Sequence, residues 1–180
     1  MKYAVSKIVL LVTLLFICQQ SIAQANKKHS FSINFGPEIS FPESAFRTTH
    51  NAGYGGSIKA EYTFGNHASA TINSGILVFQ GRGYLENSVF QPNLYKNLTA
   101  IPLKTGLRYY IGNFYAAGEA GAVFLNNYAN ATRPAVSIGV GDKIKIGSGK
   151  LDISVRQEFW LGNPQNLNMA VLRVAYEIAW

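Results

Sequence analysis

Beyond Cys18 the chain contains no cysteine. Disulfides, thiolate nucleophiles and cysteine metal sites are therefore excluded from everything that follows the N-terminal apolar segment. Long apolar runs are equally scarce. Ile8 to Cys18 is apolar except for Thr13, and a run that short does not span a bilayer as a helix. No later stretch reaches the ~18 apolar residues of a transmembrane helix, and none sustains a helical period. Acids are few: 9 Asp and Glu stand against 16 Lys and Arg, for a net charge of +7 over 180 residues. The bases are scattered singly, with short pairs only at Lys27-Lys28 and around Lys143. Nucleic-acid recognition needs a basic stripe with exposed aromatics, so no nucleic-acid partner is expected.

Catalytic and metal motifs are missing too. There is no HExxH, no acidic calcium loop and no phosphate cradle; Gly81-Arg82-Gly83 is a lone glycine pair. Three histidines, His29, His50 and His67, are each expected to be exposed polar residues. Glu43, Ser44 and His50 share one loop, the one place where a hydrolytic set could gather. The expectation is a non-enzymatic chain with no cofactor and no metal.

Lys2 and Lys7 before the apolar run, and Ser21-Ile22-Ala23 after it, have the arrangement of an export leader. Residues 1–23 are expected to be a signal peptide cut before Gln24, 24–29 a short tail, and 30–180 the folded domain. Ile17 is not small, which argues against lipid attachment at Cys18.

What the sequence does contain is alternation with period two, in blocks broken by Gly, Asn and Pro. The blocks are 30–40, 53–64, 68–79, 98–111, 114–125, 135–146, 150–161 and 168–180. Gly65-Asn66-His67, Gly112-Asn113 and Gly147-Ser148-Gly149 make short turns. The other connections, 41–52, 80–97, 126–134 and 162–167, are longer. Short turns on one rim and long loops on the other is the layout of an outer-membrane barrel.

Within the blocks, charges share one parity and large apolar residues the other. Lys59 and Glu61, Lys104 and Arg108, Lys143 and Lys145, Asp152, Arg156 and Glu158, and Arg173 and Glu177 all follow this rule. Glu38 and Glu119 fit it as well, in registers of 30–40 and 114–125 that those two residues partly define. Asp142 breaks the rule near a short turn, and 68–79 carries no charge to decide its faces. Periodicity alone allows two closed sheets. A soluble, lipocalin-like periplasmic barrel would turn its apolar face inward around a small apolar ligand. A membrane barrel would turn the same face to lipid. Three features favour the membrane. Tyr62, Phe64, Tyr109, Phe114, Tyr176 and Trp180 gather on the apolar face by the short turns, where aromatics suit a lipid–water interface. The last alternating strand ends on Trp180. The charges of the other face nearly balance, as a confined interior requires.

Leu98-Thr99-Ala100-Ile101-Pro102-Leu103-Lys104-Thr105-Gly106-Leu107-Arg108-Tyr109-Tyr110, followed by Phe114-Tyr115-Ala116-Ala117-Gly118, resembles the fourth and fifth strands of the outer-membrane β-barrel domain family, often labelled porin-family or PorT-like. The resemblance extends loosely over 30–180. It implies an all-β, eight-stranded antiparallel up-and-down barrel in the cell outer membrane, with no catalytic residues to transfer and, for PorT-like proteins, a link to secretion and gliding machinery.

The expected interior charge network is Lys59, Glu61, Lys104, Arg108, Glu119, Asp152, Arg156, Glu158, Arg173 and Glu177, with Arg156 coupled to Glu158 and Arg173 to Glu177. An eight-stranded barrel is just wide enough for its own side chains, so the network is expected to plug the lumen and not to line a pore. Loop 80–97 is the longest, and its Arg82, Tyr84, Phe90, Tyr95 and Lys96 are the expected binding surface. Tyr176 and Trp180 are the expected interfacial anchor. The expected partners are outer-membrane lipid, the barrel-assembly machinery and an extracellular or envelope protein, with the barrel itself a monomer.

Overall fold

The computed structural model describes residues 29–86, 89–91, 95–127, 131–163 and 165–179; the expected leader and Trp180 lie outside these. The alternating blocks form long strands: β1 (His29–Pro42), β2 (His50–Phe64), β3 (Ala68–Gly81), β6 (Leu98–Ile111), β7 (Phe114–Asn126), β8 (Thr132–Ile146), β9 (Gly149–Trp160) and β10 (Leu167–Ala179). All neighbours are antiparallel, and β10 returns to β1 to close the barrel. Closure leaves no unpaired strand edge, which is the condition for a sheet to sit in lipid.

The turns follow from residue chemistry. Gly65, Gly112 and Gly147 hold φ of 96°, 67° and 60°, a region that L side chains avoid. These turns form one rim. The opposite rim carries the long connections, and two of them hold secondary structure among the described residues. Between β1 and β2 lies a short helix, α1 (Ser44–Thr49). Between β3 and β6 lies a small hairpin of β4 (Tyr84–Glu86) and β5 (Val89–Gln91). The strands also run further toward this rim than the alternation indicated. β1 continues to Pro42, β2 starts at His50 beside an irregularity in its pairing, and β8 starts at Thr132.

The wall is turned inside out relative to a water-soluble barrel. Phe35, Ile58, Leu107, Ile138 and Val155 are each more than half exposed on the outside. An exterior of this kind is solvated by lipid. Aromatics ring it at two levels. Phe31, Tyr62, Phe64, Tyr109 and Phe114 lie toward the short turns, and Phe41, Tyr54 and Phe124 toward the long loops; all are exposed. On β7, Phe114 and Phe124 are separated by ~33 Å of strand at ~3.3 Å per residue. At a tilt of ~35–45° this spans roughly 25 Å, the height of the apolar band in outer-membrane barrels. Asp142 faces outward and is exposed near the short turn, as its parity requires.

Inside, the lumen changes character with depth. In the half near the short turns, the inward face is charged. In the half near the long loops, the same inward parity becomes apolar: Leu77 and Phe79, Leu98 and Ala100, Val123 and Leu125, Trp160, and Leu167, Met169 and Val171 pack together. Phe46 of α1 drops into this group, 5.0 Å between ring centroids from Phe79 and 6.5 Å from Trp160. The apolar parity does face outward, and it is the inward parity that is not wholly polar. Strand β3, undecided by sequence, turns Ser69, Thr71, Asn73, Leu77 and Phe79 inward and Ile72 and Ile76 outward.

Closure depends on the end of β10, where Tyr176, Glu177, Ile178 and Ala179 pair with Phe35, Asn34, Ile33 and Ser32. Deleting residues 176–180 should prevent closure and abolish the compact, heat-modifiable gel form. Retention of that form by the truncated chain would show that the β1–β10 seam is dispensable.

Candidate functional site

The lumen charges arise from strands that each bring one or more inward polar positions, spaced by two or four residues. The structure places Lys59, Glu61, Lys104, Arg108, Glu119, Asp152, Arg156, Glu158, Arg173 and Glu177 inside the barrel, all buried, together with Glu38 and Lys143. Their ion pairs join them end to end. Lys59 pairs with Glu119, and Glu119 with Lys104 at 3.0 Å. Lys104 reaches Glu158 at 2.9 Å, and Glu158 holds Arg156 at 2.7 Å. Arg156 spans to Glu38 at 2.8 Å, and the other Glu38 oxygen lies 3.3 Å from Arg173 Nε. Arg173 approaches Asp152 at 3.8 Å, Asp152 holds Arg108 at 2.9 Å, and Arg108 reaches Glu61 at 2.9 Å. Glu61 meets Lys143 at 3.0 Å, Lys143 pairs with Glu177, and Glu177 lies 3.8 Å from Lys150 at the rim. Acid and base alternate along one unbranched chain.

Neutral groups take up some of the remaining positions, while Arg108 Nε and Nη2 and Arg173 Nη1 have no hydrogen-bond partner among the described residues. Tyr115 donates to Asp152 at 2.6 Å, Ser69 to Glu61 at 2.7 Å, and Tyr110 also donates to Glu61. The Trp160 indole N–H donates to Glu158 at 3.1 Å, which joins the apolar group to the charged chain. Beside Lys59, Arg108 and Glu119 the chain leaves a cavity of about 20 Å³, room for about one water. Toward the short turns the lumen opens into a polar vestibule of about 190 Å³ lined by Glu61, Tyr110, Lys143, Lys150 and Glu177.

One of the two expected pairings differs from the sequence reading. Arg156 does pair with Glu158, but Arg173 meets Glu38 and Asp152, while Glu177 pairs with Lys143 and Lys150. Glu177 lies four residues from Arg173, or ~13 Å along an extended strand, beyond reach. Lys145 shares the inward parity of Lys143 but lies near the end of β8, opposite Lys150, and is exposed near the Gly147 turn.

On the outer rim, Arg82 is half-buried, and Tyr95 and Lys96 are exposed. The hairpin pairs Tyr84 with Gln91 and Leu85 with Phe90; the side chains of Tyr84 and Phe90 lie outside the described set. His50 corrects the expectation of an exposed loop residue: it opens β2 and is 4% exposed. Its Nε2 faces the Lys96 carbonyl at 3.3 Å and so carries the proton, leaving Nδ1 to accept from the Thr49 hydroxyl at 2.8 Å. Glu43 accepts from Gln157 Nε2 at 2.8 Å. With both ring nitrogens of His50 engaged elsewhere, Glu43, Ser44 and His50 do not form a nucleophile–base set. His67 sits on the opposite rim against the Tyr110 carbonyl. Tyr176, the expected anchor, is half-buried in the wall.

The sequence reading missed the apolar plug and Arg133. Arg133 is buried and donates to the carbonyls of Gln165 at 2.7 Å and Asn163 at 3.0 Å, tying down the β9–β10 loop. It lies on the inward parity of β8, the one sequence signal that could have found it.

Removing one member of the buried chain strands its partners. Arg156→Ala leaves Glu38 and Glu158 each short of a cation and should lower folding stability by about 3–5 kcal/mol. Lys96→Ala, at an exposed position, should stay within about 0.5 kcal/mol. Urea unfolding in lipid measures both; equal small effects would show a lumen wet enough to solvate single charges.

No known family profile matches the sequence, and no curated protein does. Solved structures do. The outer membrane protein OprG of Pseudomonas aeruginosa aligns with a TM-score of 0.61 at 10% identity, covering 87% of this chain and 98% of that one. Ail, an outer membrane protein of Yersinia pestis, aligns with a TM-score of 0.54 at 14% identity, covering 84% of this chain and 100% of that one. The fold of this chain is therefore that of the eight-stranded outer-membrane barrels.

Proposed function

We propose that the protein is an integral outer-membrane barrel with a sealed lumen, non-catalytic, acting through what its outer loops bind and through the support its wall gives to an envelope or export machine. The observation that carries this reading is the filled lumen. Phe46, Phe79 and Trp160 close the outer half, and the alternating ion chain closes the inner half. The outward apolar wall supports residence in the membrane. The soluble alternative needs the reverse facing, with charges in water and the apolar face around a ligand. The engagement of His50 by Thr49 and Lys96 supports a non-catalytic rim. The secretion link rests on the PorT-like resemblance, and a monomeric barrel inserted by the assembly machinery remains the expected form.

The folded chain, verified by heat-modifiable migration, should give no steady conductance in planar bilayers. A sustained conductance step from folded protein would contradict the sealed lumen.

A further inference from the structure

We infer that the outer rim carries an anion-binding cleft in which Arg47 and Arg82 hold a phosphate or sulfate group. This deepens the reading of the outer loops as the working face, and rests on it. The cleft has a volume of about 380 Å³ and is lined by Phe41, Pro42, Glu43, Arg47, His50 and Arg82, with Ala52. Ligand pockets run from ~300 to 1,000 Å³, so this one admits a phosphorylated or sulfated sugar, or a lipid headgroup.

The two arginines differ from those of the lumen. Arg108, Arg156 and Arg173 each meet two carboxylates. Among the described residues, no carboxylate pairs with Arg47 or Arg82. The Arg82 Nε is buried and, among the described residues, has no hydrogen-bond partner. A buried donor left unmade is costly, and on the wall of an open cleft a ligand acceptor can meet it. Glu43 is the acid of the cleft, and its carboxylate is engaged by Gln157. Arg47 and Arg82 thus give the cleft a positive balance, and exposed Lys96 borders it through the carbonyl that His50 holds.

The cleft is also built to stay in place. The Arg82 backbone N–H donates to the Thr49 carbonyl at 2.9 Å, which fixes Arg82 against the helix that carries Arg47. His50 is clamped by Thr49 and Lys96, and its ring lies 5.1 Å from Phe46, the apex of the apolar plug. The arginines therefore stand on a hydrogen-bonded and packed base. Planar guanidinium forks on a fixed base match the oxygens of phosphate or sulfate better than those of a neutral ligand.

Two arms separate the sources of the anion. In the first, inorganic pyrophosphate is titrated into the detergent-solubilised full chain by calorimetry. In the second, the unfolding midpoint is read in phosphatidylcholine nanodiscs with and without diphosphoryl lipid A, since a ligand that binds only the folded state raises it. Binding should weaken at least about tenfold in Arg47→Gln/Arg82→Gln, and the lipid-linked shift should vanish. Arg47→Lys/Arg82→Lys, which keeps charge but loses the fork, should fall between. Lys145→Gln, exposed on the opposite rim, should bind as the unaltered chain does. A response to pyrophosphate alone assigns a soluble ligand, and a response to lipid A alone assigns a membrane one; both support the site. No response in either arm, or an unchanged response in folded double variants of either kind, would overturn it. Neither arm depends on conductance, so this proposal and the sealed lumen fail separately.

Discussion

The alternating chain of acids and bases inside the lumen is the constraint on which the rest of the barrel depends. It draws charges from β1, β2, β6, β7, β8, β9 and β10, while β3 contributes Ser69 and Asn73 as hydrogen-bond donors to Glu61 and Glu119. Every wall strand is thereby tied across the interior as well as to its neighbours. Burial of so many charges is unfavourable unless each is paired and hydrogen-bonded. Here each lumen acid meets two bases, so desolvation is offset along the whole chain and not pair by pair. The wall can then be apolar outside because its charges, Asp142 near the short turn apart, are held within.

Depth divides the work of closing the barrel. Near the short turns the lumen is polar and opens to a vestibule. Near the long loops it is packed like the core of a soluble protein, around Phe46, Phe79 and Trp160. Trp160 belongs to both regions, since its ring packs in the plug and its N–H bonds Glu158. The helix that carries Phe46 also carries Arg47, so the same short segment seals the lumen and shapes the outer rim. That coupling gives the rim a firm base, unlike a loop that merely overhangs a barrel.

The strands, turns and closed order were legible because period two and turn glycines are local signals. Gly65, Gly112 and Gly147 mark positive-φ turns that few other residues allow. The charged half of the lumen was legible for the same reason: Asp152, Arg156 and Glu158 repeat at the strand period. The plug was not. Where Met169, Ala170, Val171 and Leu172 follow one another, both faces are apolar and alternation carries no information. Helix α1 spans six residues, too few for a helical period to show. Partners across the lumen, such as Arg173 with Glu38, depend on strand tilt and stagger, which no single strand encodes. The burial of His50 follows from contacts with Lys96, 46 residues away.

The most direct test of the central claim is a double-mutant cycle on Glu38 and Arg173, using Glu38→Gln and Arg173→Gln and urea unfolding in lipid. These residues sit in the middle of the ion chain, and their pairing was not foreseeable from the sequence. A dry, continuous chain predicts a coupling energy above about 1 kcal/mol, since each single change strands a charge that the double change removes. Additivity within about 0.5 kcal/mol would show the two sites to be independent, and would contradict a lumen held together by one coupled network.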